Sequence, residues 1–353
     1  MSKKNKMNST YIIGEIGQNH NGSTDFAKLL IDVVSRPVYD KLFDNKLQGM
    51  DAVKLTKRDL NQELSASQMS RSYDTPNSFG DTYGEHRDFL ELNDEQHFEC
   101  YTYAKEKGLD FVETLCAVGC LSMLKLFTPD KLKVASRDLT NLPLLSALAE
   151  TKIPMILSTG MAGKKELDEA LNLITKSHSN VSILHCVSEY PTKYQNVNLN
   201  TIKYLQNNYP KYPIGYSDHT IGIATPLAAV AMGAEIIEKH ITIDRQMKGT
   251  DQAGSLAIDG IYRLVRDIRN LEMSFGVEDI FIEDSVKAAR EKLERSIAVN
   301  KTIIKGQSIT ESDLHMLSPG DGFKWSDRDK VIGRIVVEDL NKDEIVYPKN
   351  LKT

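Results

Sequence analysis

The strongest constraint on this chain is a rhythm. Between residues 11 and 275, eight short apolar runs alternate with stretches of helical periodicity, and each run ends in polar residues. The runs cover residues 11–17, 51–57, 110–115, 131–136, 154–160, 181–186, 214–219 and 235–242. Short, continuously apolar runs suit strands of a parallel sheet buried on both faces. Helices are expected over 25–35, 93–107 (capped by Asn93), 142–151, 164–175, 199–207, 221–233 and 258–275. Eight strand–helix units in this length predict an α/β fold, a (β/α)8 TIM barrel.

In such a barrel the strand ends collect on one face, where chemistry is carried out. Those ends hold Glu15, Lys54, Thr114, Ser136, Ser158, Cys186, His219 and His240. Packing does not explain so polar a ring. The polar excursion 58–90, with its aromatic and glycine content, is expected to be an ordered lid. Residues 1–10 read as a frayed tail, 11–275 as the barrel, and 276–295 as a charged helical connector. From Ser296 onward short β-type runs with turns between them predict a small β-rich second domain over 296–353.

The net charge of −5 argues against a general nucleic-acid binder. No run is long enough to span a membrane, and the basic, polar N-terminus is not a signal peptide. Cys100, Cys116, Cys120 and Cys186 are scattered, without zinc-type pairing, and read as reduced cytosolic thiols. The chain is therefore expected to be cytoplasmic.

His219 and His240 close two runs separated by an Ala-rich helix, with Asp218 and Glu238 beside them. Two histidines at matching strand ends point to a metal pair, with core histidines as the plainer reading. Imidazole, water and carboxylate suit Mn²⁺, Zn²⁺ or Fe²⁺; Mg²⁺ prefers oxygen. Two protein ligands leave positions open for a substrate. Lys54 and Lys133 each interrupt an apolar run, and Ser136, Ser158, Ser217 and Thr114 share their rim. Charge plus hydroxyl donors describes an anion cradle, although Lys54 could simply pair with Glu15. Glu15, Glu238 and Asp251 can be salt-bridge partners, acid–base groups or binders of substrate hydroxyls.

Taken together, GEIGQNHNG, ASRDLTNLPLL, ILSTGM, LHCVSEYPT, IGYSDHT, EKHITID and KGTDQAGSL resemble the sialic acid synthases, the phosphoenolpyruvate-condensing nonulosonate synthases. RSIAVNKTIIKGQSITESDLHMLSPGDG resembles their C-terminal antifreeze-like (SAF) domain, and the likeness runs from about Tyr11 to Leu351. The stretch SFGDTYGEHRDFLEL also looks like the branch containing the animal synthases, some of which use a 6-phosphorylated sugar.

The resemblance implies an enzyme, a transferase. It would join phosphoenolpyruvate to the aldehyde of N-acetylmannosamine, or its 6-phosphate, giving N-acetylneuraminate or its 9-phosphate with C–O cleavage and phosphate release. The same chemistry on a 2,4-diamino-hexose would give a legionaminic- or pseudaminic-type acid. A reading of another class is a non-catalytic carbohydrate-binding protein.

By the same resemblance His219 and His240 hold a divalent ion, Mn²⁺ first and Mg²⁺ or Co²⁺ after it. Lys54, Lys133, Ser136, Ser158, Ser217, Thr114 and Ser188 would hold phosphoenolpyruvate. Glu15 and Asp251 would face the sugar and its reacting oxygen, Glu238 would lie near the metal, and Tyr190 would line the sugar side. A domain-swapped homodimer is implied as well. Several positions depart from the family pattern. Ser318 stands where many members carry an Arg that contacts the sugar, and Arg137 stands where Gly is common. Thr56, Ser188 and Gln252 replace a frequent Gln, Asn and His. Arg137 is either a new substrate contact or a surface residue paired with Asp138.

Overall fold

In the computed structural model, which describes residues 9–40 and 44–352, the expected barrel forms. Residues 1–8 of the expected tail lie outside the described residues. The strands are β1 (Tyr11–Gly17), β2 (Val38–Asp40), β3 (Asn45–Leu47), β4 (Ala52–Lys57), β5 (Asp110–Leu115), β6 (Lys131–Val134), β7 (Met155–Ser158), β8 (Val181–Cys186), β9 (Ile214–Asp218) and β10 (Ile236–His240). Parallel pairing in the order β1-β10-β9-β8-β7-β6-β5-β4 closes the barrel. The hairpin β2–β3 was not foreseen, because three-residue strands are too short to show an alternation.

Side chains alternate between the barrel interior and the helix layer along each strand. The interior begins with an apolar layer of Ile13, Ala52, Val112, Ile156, Leu184 and Ile236. Two residues further along the same six strands stand Glu15, Lys54, Thr114, Ser158, Cys186 and Glu238, all buried. A floor of hydrocarbon thus carries a polar storey, and the strand geometry alone brings that storey to the C-terminal mouth. The opposite faces of the strands, including Ile12, Val53, Leu55, Phe111, Leu132, Leu157, Ile183 and Ile237, pack into the larger core beneath the helices. Each such fully buried side chain stabilises the fold by roughly 1.5–3 kcal/mol before the entropy of ordering it.

Polar residues in the helix layer are paired. Glu113 Oε2 lies 3.1 Å from His97 Nδ1, and both side chains are completely buried. Asp218 Oδ2 lies 2.6 Å from Lys239 Nζ. The last barrel helix (Ile258–Ser274) staples the closure: Arg269 donates to the Thr10 carbonyl at 2.8 Å and to Asp51 Oδ2 at 2.8 Å.

Excursion 58–90 is ordered. It folds into short helices (Leu60–Glu63, Ala66–Met69, Tyr83–Phe89) around an aromatic cluster. Phe79 stacks on Phe89 with ring centroids 4.5 Å apart, and Tyr73 meets Tyr83 edge-on at 5.3 Å. Lys248, from the loop after β10, lies 5.0 Å above the Phe79 ring.

The chain divides into two compact units, Met1–Gly276 and Val277–Thr353. The second contains an antiparallel pair, β11 (Ser296–Val299) with β12 (Leu314–Leu317), over its own core of Ile297, Val299, Ile303, Ile309, Val331, Val336, Leu340 and Val346. Its other β-type runs meet only as single bridges, such as Ile303 with Leu340 and Ser308 with Ile335. The expected helical connector is helical only in part. A 3₁₀ turn (Asp284–Val286) and a helix (Lys287–Leu293) follow an irregular stretch that exposes Ile280, Phe281 and Ile282. Three consecutive apolar residues make no 3.6-residue stripe, so nothing there favours a helix.

Candidate active site

The polar storey opens into a cavity of about 340 Å³ at the C-terminal mouth of the barrel. Its floor is an ionic quartet. Lys54 Nζ lies 2.8 Å from Glu15 Oε2 and 3.7 Å from Glu238 Oε2, and donates to Thr114 Oγ1 at 3.1 Å. Lys133 Nζ lies 3.8 Å from Glu238 Oε1 and donates to Ser158 Oγ at 2.6 Å. Ser217 Oγ donates to Glu238 Oε1 at 2.8 Å. All four charged groups are buried, so their states depend on one another.

Burial opposes charge on each of them, and the neighbours decide the outcome. For Glu15, burial outweighs the attraction of Lys54, Glu238 repels it as well, and its pKa is pushed up to about 7. For Glu238, burial is overcome by Lys133 and Lys54 together, and its pKa falls to about 2. Burial also works against Lys54, but Glu15 and Glu238 more than offset it and raise its pKa. Lys133 has one close carboxylate rather than two, and burial holds its pKa below the ordinary lysine value.

The two histidines stand at the ends of adjacent strands, with ring centroids 5.5 Å apart. His219 Nδ1 lies 2.8 Å from the Val187 carbonyl oxygen. A carbonyl only accepts, so Nδ1 carries a proton and is occupied as a donor, which leaves Nε2 as the nitrogen to offer a cation. His240 is half-buried, its Nδ1 is enclosed without a hydrogen bond, and loss of solvent lowers its pKa. Two adjacent imidazoles, one with an orphaned buried nitrogen, fit a divalent cation. Among the described residues no group of three or more His, Cys, Asp or Glu forms a complete protein cage. The donors present suit an ion that keeps positions open for substrate and water. Tyr190 packs its ring 4.0 Å from His219.

The hydroxyls gather on the opposite wall. Ser136 Oγ accepts from the Gly160 amide at 3.0 Å. A Cβ at Gly160 would come within 2.5 Å of Ser188 Oγ and 2.8 Å of both Ser136 Oγ and Cys186 Sγ, so glycine is what lets these three converge. Gly17, at φ +54°, sits at the irregularity in the β1–β4 ladder just beyond Glu15.

The cavity is lined by Glu15, Lys54, Thr114, Lys133, Ser136, Arg137, Ser158, Ser188, Tyr190, Ser217, His219, Glu238, His240 and Asp251. Asp218 and Gln252 do not line it, and neither does Ser318. Ser318 lies in the second unit, where its hydroxyl donates to the Leu293 carbonyl at 2.9 Å. Asp218, which the sequence set beside the metal pair, turns into the helix layer to meet Lys239. Arg137 lines the cavity and also ion-pairs with Asp138, Nε to Oδ2 at 3.3 Å, so its two readings are not exclusive. Gln252 is fully buried, bonded to Thr242 Oγ1 and to the Asn19 carbonyl at 3.2 Å, and braces the loops behind the site. Gln18, Arg58, Arg87, Met161 and Thr250 also line the cavity. Reasoning from strand ends missed them, because they come from loops and from the excursion.

Residues 44–279 match the NeuB family and residues 294–352 match the SAF domain. The chain is 32% identical to N-acetylneuraminate-9-phosphate synthase of Homo sapiens, over 95% of this chain and 91% of that one. It is also 32% identical to N,N'-diacetyllegionaminic acid synthase of Legionella pneumophila, over 92% and 89%. A crystal structure of the N-acetylneuraminic acid (sialic acid) synthetase of Leptospira borgpetersenii superimposes with a TM-score of 0.66 at 31% identity, covering 80% of this chain and 90% of that one.

Proposed function

We propose, from the premise that this chain belongs to the NeuB family and is a phosphoenolpyruvate-dependent synthase of transferase type, that it condenses phosphoenolpyruvate with an N-acetylated amino-sugar aldehyde. The acceptor is N-acetylmannosamine or its 6-phosphate, and the product is N-acetylneuraminate or its 9-phosphate. The observation that carries this reading is the pair of buried lysines and convergent hydroxyls that share one cavity with two histidines. A diacetamido sugar leading to a legionaminic-type acid uses the same machinery, and relatives of that kind match equally well.

In this reading Lys54, Lys133, Thr114, Ser136, Ser158, Ser188 and Ser217 hold the phosphate and carboxylate of phosphoenolpyruvate, with its C3 directed at the aldehyde carbon. A divalent ion between His219 and His240, Mn²⁺ first, would polarise the aldehyde oxygen. C3 attacks the aldehyde carbon, water adds to C2, and the tetrahedral intermediate expels phosphate by breaking its C–O bond. Glu15, with a pKa near neutrality, is suited to exchange a proton at a reacting oxygen. Glu238 remains ionised and favours the charged form of both lysines. Asp251 and Tyr190 face the sugar.

The exposed Ile280, Phe281 and Ile282 support a second copy of the chain as partner, in the domain-swapped homodimer expected of such synthases. Four free, buried cysteines support a reducing, cytoplasmic setting.

The test is phosphate release from phosphoenolpyruvate with Mn²⁺, comparing N-acetylmannosamine, its 6-phosphate and a 2,4-diacetamido sugar. With ¹⁸O in the bridging position, label recovered in phosphate reports C–O cleavage. Absence of release with every acceptor would sink the reading and favour a non-catalytic carbohydrate binder.

A further inference from the structure

We propose that Arg58 and Arg87 form a second anion subsite, separate from the lysine cradle, that takes the terminal phosphate monoester of a phosphorylated amino-sugar aldehyde. This rests on the condensing reaction proposed above and selects among its acceptors.

Arg58 follows β4 directly, and Arg87 comes from the last helix of the excursion. Both line the cavity. The Arg58 side chain is only 7% exposed, yet its Nε makes no hydrogen bond and stands 3.7 Å from Glu91 Oε1. Two carboxylates offset the cost of burying this guanidinium and fix its orientation, and its remaining nitrogens belong to a residue that lines the cavity.

The carboxylates that position it stand behind it. Glu63 accepts from Arg58 Nη1, and Glu91 accepts from the Arg58 amide at 3.1 Å, but neither carboxylate lines the cavity. Glu91 also accepts from Gln18 Nε2 at 3.2 Å, Gln18 Oε1 accepts from Arg87 Nη1, and the Tyr83 hydroxyl accepts from Arg87 Nε at 2.9 Å. One chain of contacts, Arg58–Glu91–Gln18–Arg87, thus holds two guanidiniums at the cavity wall with donors to spare. Fixed forks of this kind match phosphate oxygens.

Position around the barrel assigns the ligand. Strands β10, β1 and β4 are consecutive neighbours. They lead from His240 past Glu15 and Gln18 to Arg58. The lysine-and-hydroxyl cradle of Lys133, Ser136 and Ser158 belongs to β6 and β7, further round the ring. An acceptor with its aldehyde at the histidines and a distal anion at the arginines lies over the first arc, above Lys54 in the floor, and leaves Lys133, Ser136 and Ser158 to phosphoenolpyruvate. Charge agrees with this division. In the floor, Lys54 and Lys133 face Glu15 and Glu238 in equal number, so the arginines are not needed to balance it. Arg58 has Glu63 and Glu91 behind it, whereas Arg87 bonds to neutral groups, Gln18 and Tyr83, so it is the charge of Arg87 that a ligand anion would meet.

The experiment compares kcat/KM for matched acceptors with and without the terminal phosphate, in the wild type and in Arg87→Gln, Arg87→Lys and Arg58→Gln. The wild type is expected to prefer the phosphorylated acceptor by about tenfold or more, the worth of one or two charged hydrogen bonds. Each Gln variant is expected to lower that preference by about tenfold, with KM for the phosphorylated acceptor rising more than KM for phosphoenolpyruvate. Arg87→Lys should retain more of the preference than Arg87→Gln. Arg87 is the more exposed of the two, so its variants carry the test if Arg58→Gln does not fold.

Two outcomes overturn the subsite while leaving the condensing reaction intact. One is phosphoenolpyruvate-dependent release that is as fast or faster with the unphosphorylated acceptor. The other is a KM for phosphoenolpyruvate that rises as much as that for the acceptor, which would make the arginines part of the first cradle. Failure of release with every acceptor removes the reaction and the subsite together.

Discussion

Lys54 and Glu15 are register partners on adjacent parallel strands, and their side chains meet in the barrel interior with Nζ 2.8 Å from Oε2. The backbone ladder therefore fixes the pair, and no side-chain search is needed to form it. Removing one partner leaves an uncompensated buried charge. Lys54→Met is expected to destabilise the protein by about 3–5 kcal/mol in urea unfolding. The double variant Lys54→Met/Glu15→Gln should lose clearly less than the sum of the two single changes. Additive losses would show that the two groups do not interact.

The raised pKa of Glu15 predicts a pH dependence of anion binding. Below about 7 the carboxyl is protonated and releases Lys54 for an incoming anion; above it the carboxylate claims Lys54. With a chelator present, the Kd for phosphoenolpyruvate should weaken by up to about tenfold per pH unit above 7, relative to Glu15→Gln. That variant carries the ligand's own titration and serves as the baseline. The sign for folding is the same. The folded state binds this proton more tightly than the unfolded chain, so the contribution of Glu15 to stability is full below about 4.5 and is lost as pH rises through about 7. Calorimetric titrations that run in parallel for the two proteins would refute the assignment.

The orphaned Nδ1 of His240 and the bond that occupies Nδ1 of His219 lead to a direct test with metal. His219→Ala and His240→Ala should each weaken Mn²⁺ binding by about 100-fold or more, read by electron paramagnetic resonance of the free ion. An unchanged binding curve in either variant would exclude that residue as a ligand.

Asp218 separates stability from chemistry. It is buried against Lys239 in the helix layer, away from the polar storey. Asp218→Asn should lower unfolding free energy by about 3 kcal/mol while Mn²⁺ affinity stays within about twofold of wild type. A large loss of metal affinity in a folded Asp218→Asn protein would return Asp218 to the site.

The barrel was legible because a strand buried on both faces writes itself as a short apolar run, and a charge inside such a run is conspicuous. Glu15, Lys54 and Lys133 were found in that way. Asp218 stands beside His219 in the sequence, but strict alternation sends Ser217 and His219 to one face and Asp218 to the other, so nearness along the chain does not make it a neighbour in the site. Arg58 and Arg87 lie almost thirty residues apart in a segment with no period at all. Their convergence depends on contacts through Glu91 and Gln18 that only the folded chain reveals. The hairpin β2–β3 and the irregular stretch before Lys287 escaped for a related reason, since neither holds a pattern long enough to count.

Glu238, Lys239 and His240 are consecutive, and they face the cavity, the helix layer and the cavity again. This places a limit on how the gene can drift. Loss or gain of a single codon within β10 would swing Lys239 into the cavity and drive a carboxylate and an imidazole among hydrocarbon, breaking the floor and the outer layer in one step. Codon changes in the neighbouring turns, by contrast, only lengthen or shorten a loop. Variation in length among descendants of this sequence is therefore expected to collect in the turns and in the 58–90 excursion, with the strand ends holding a fixed count.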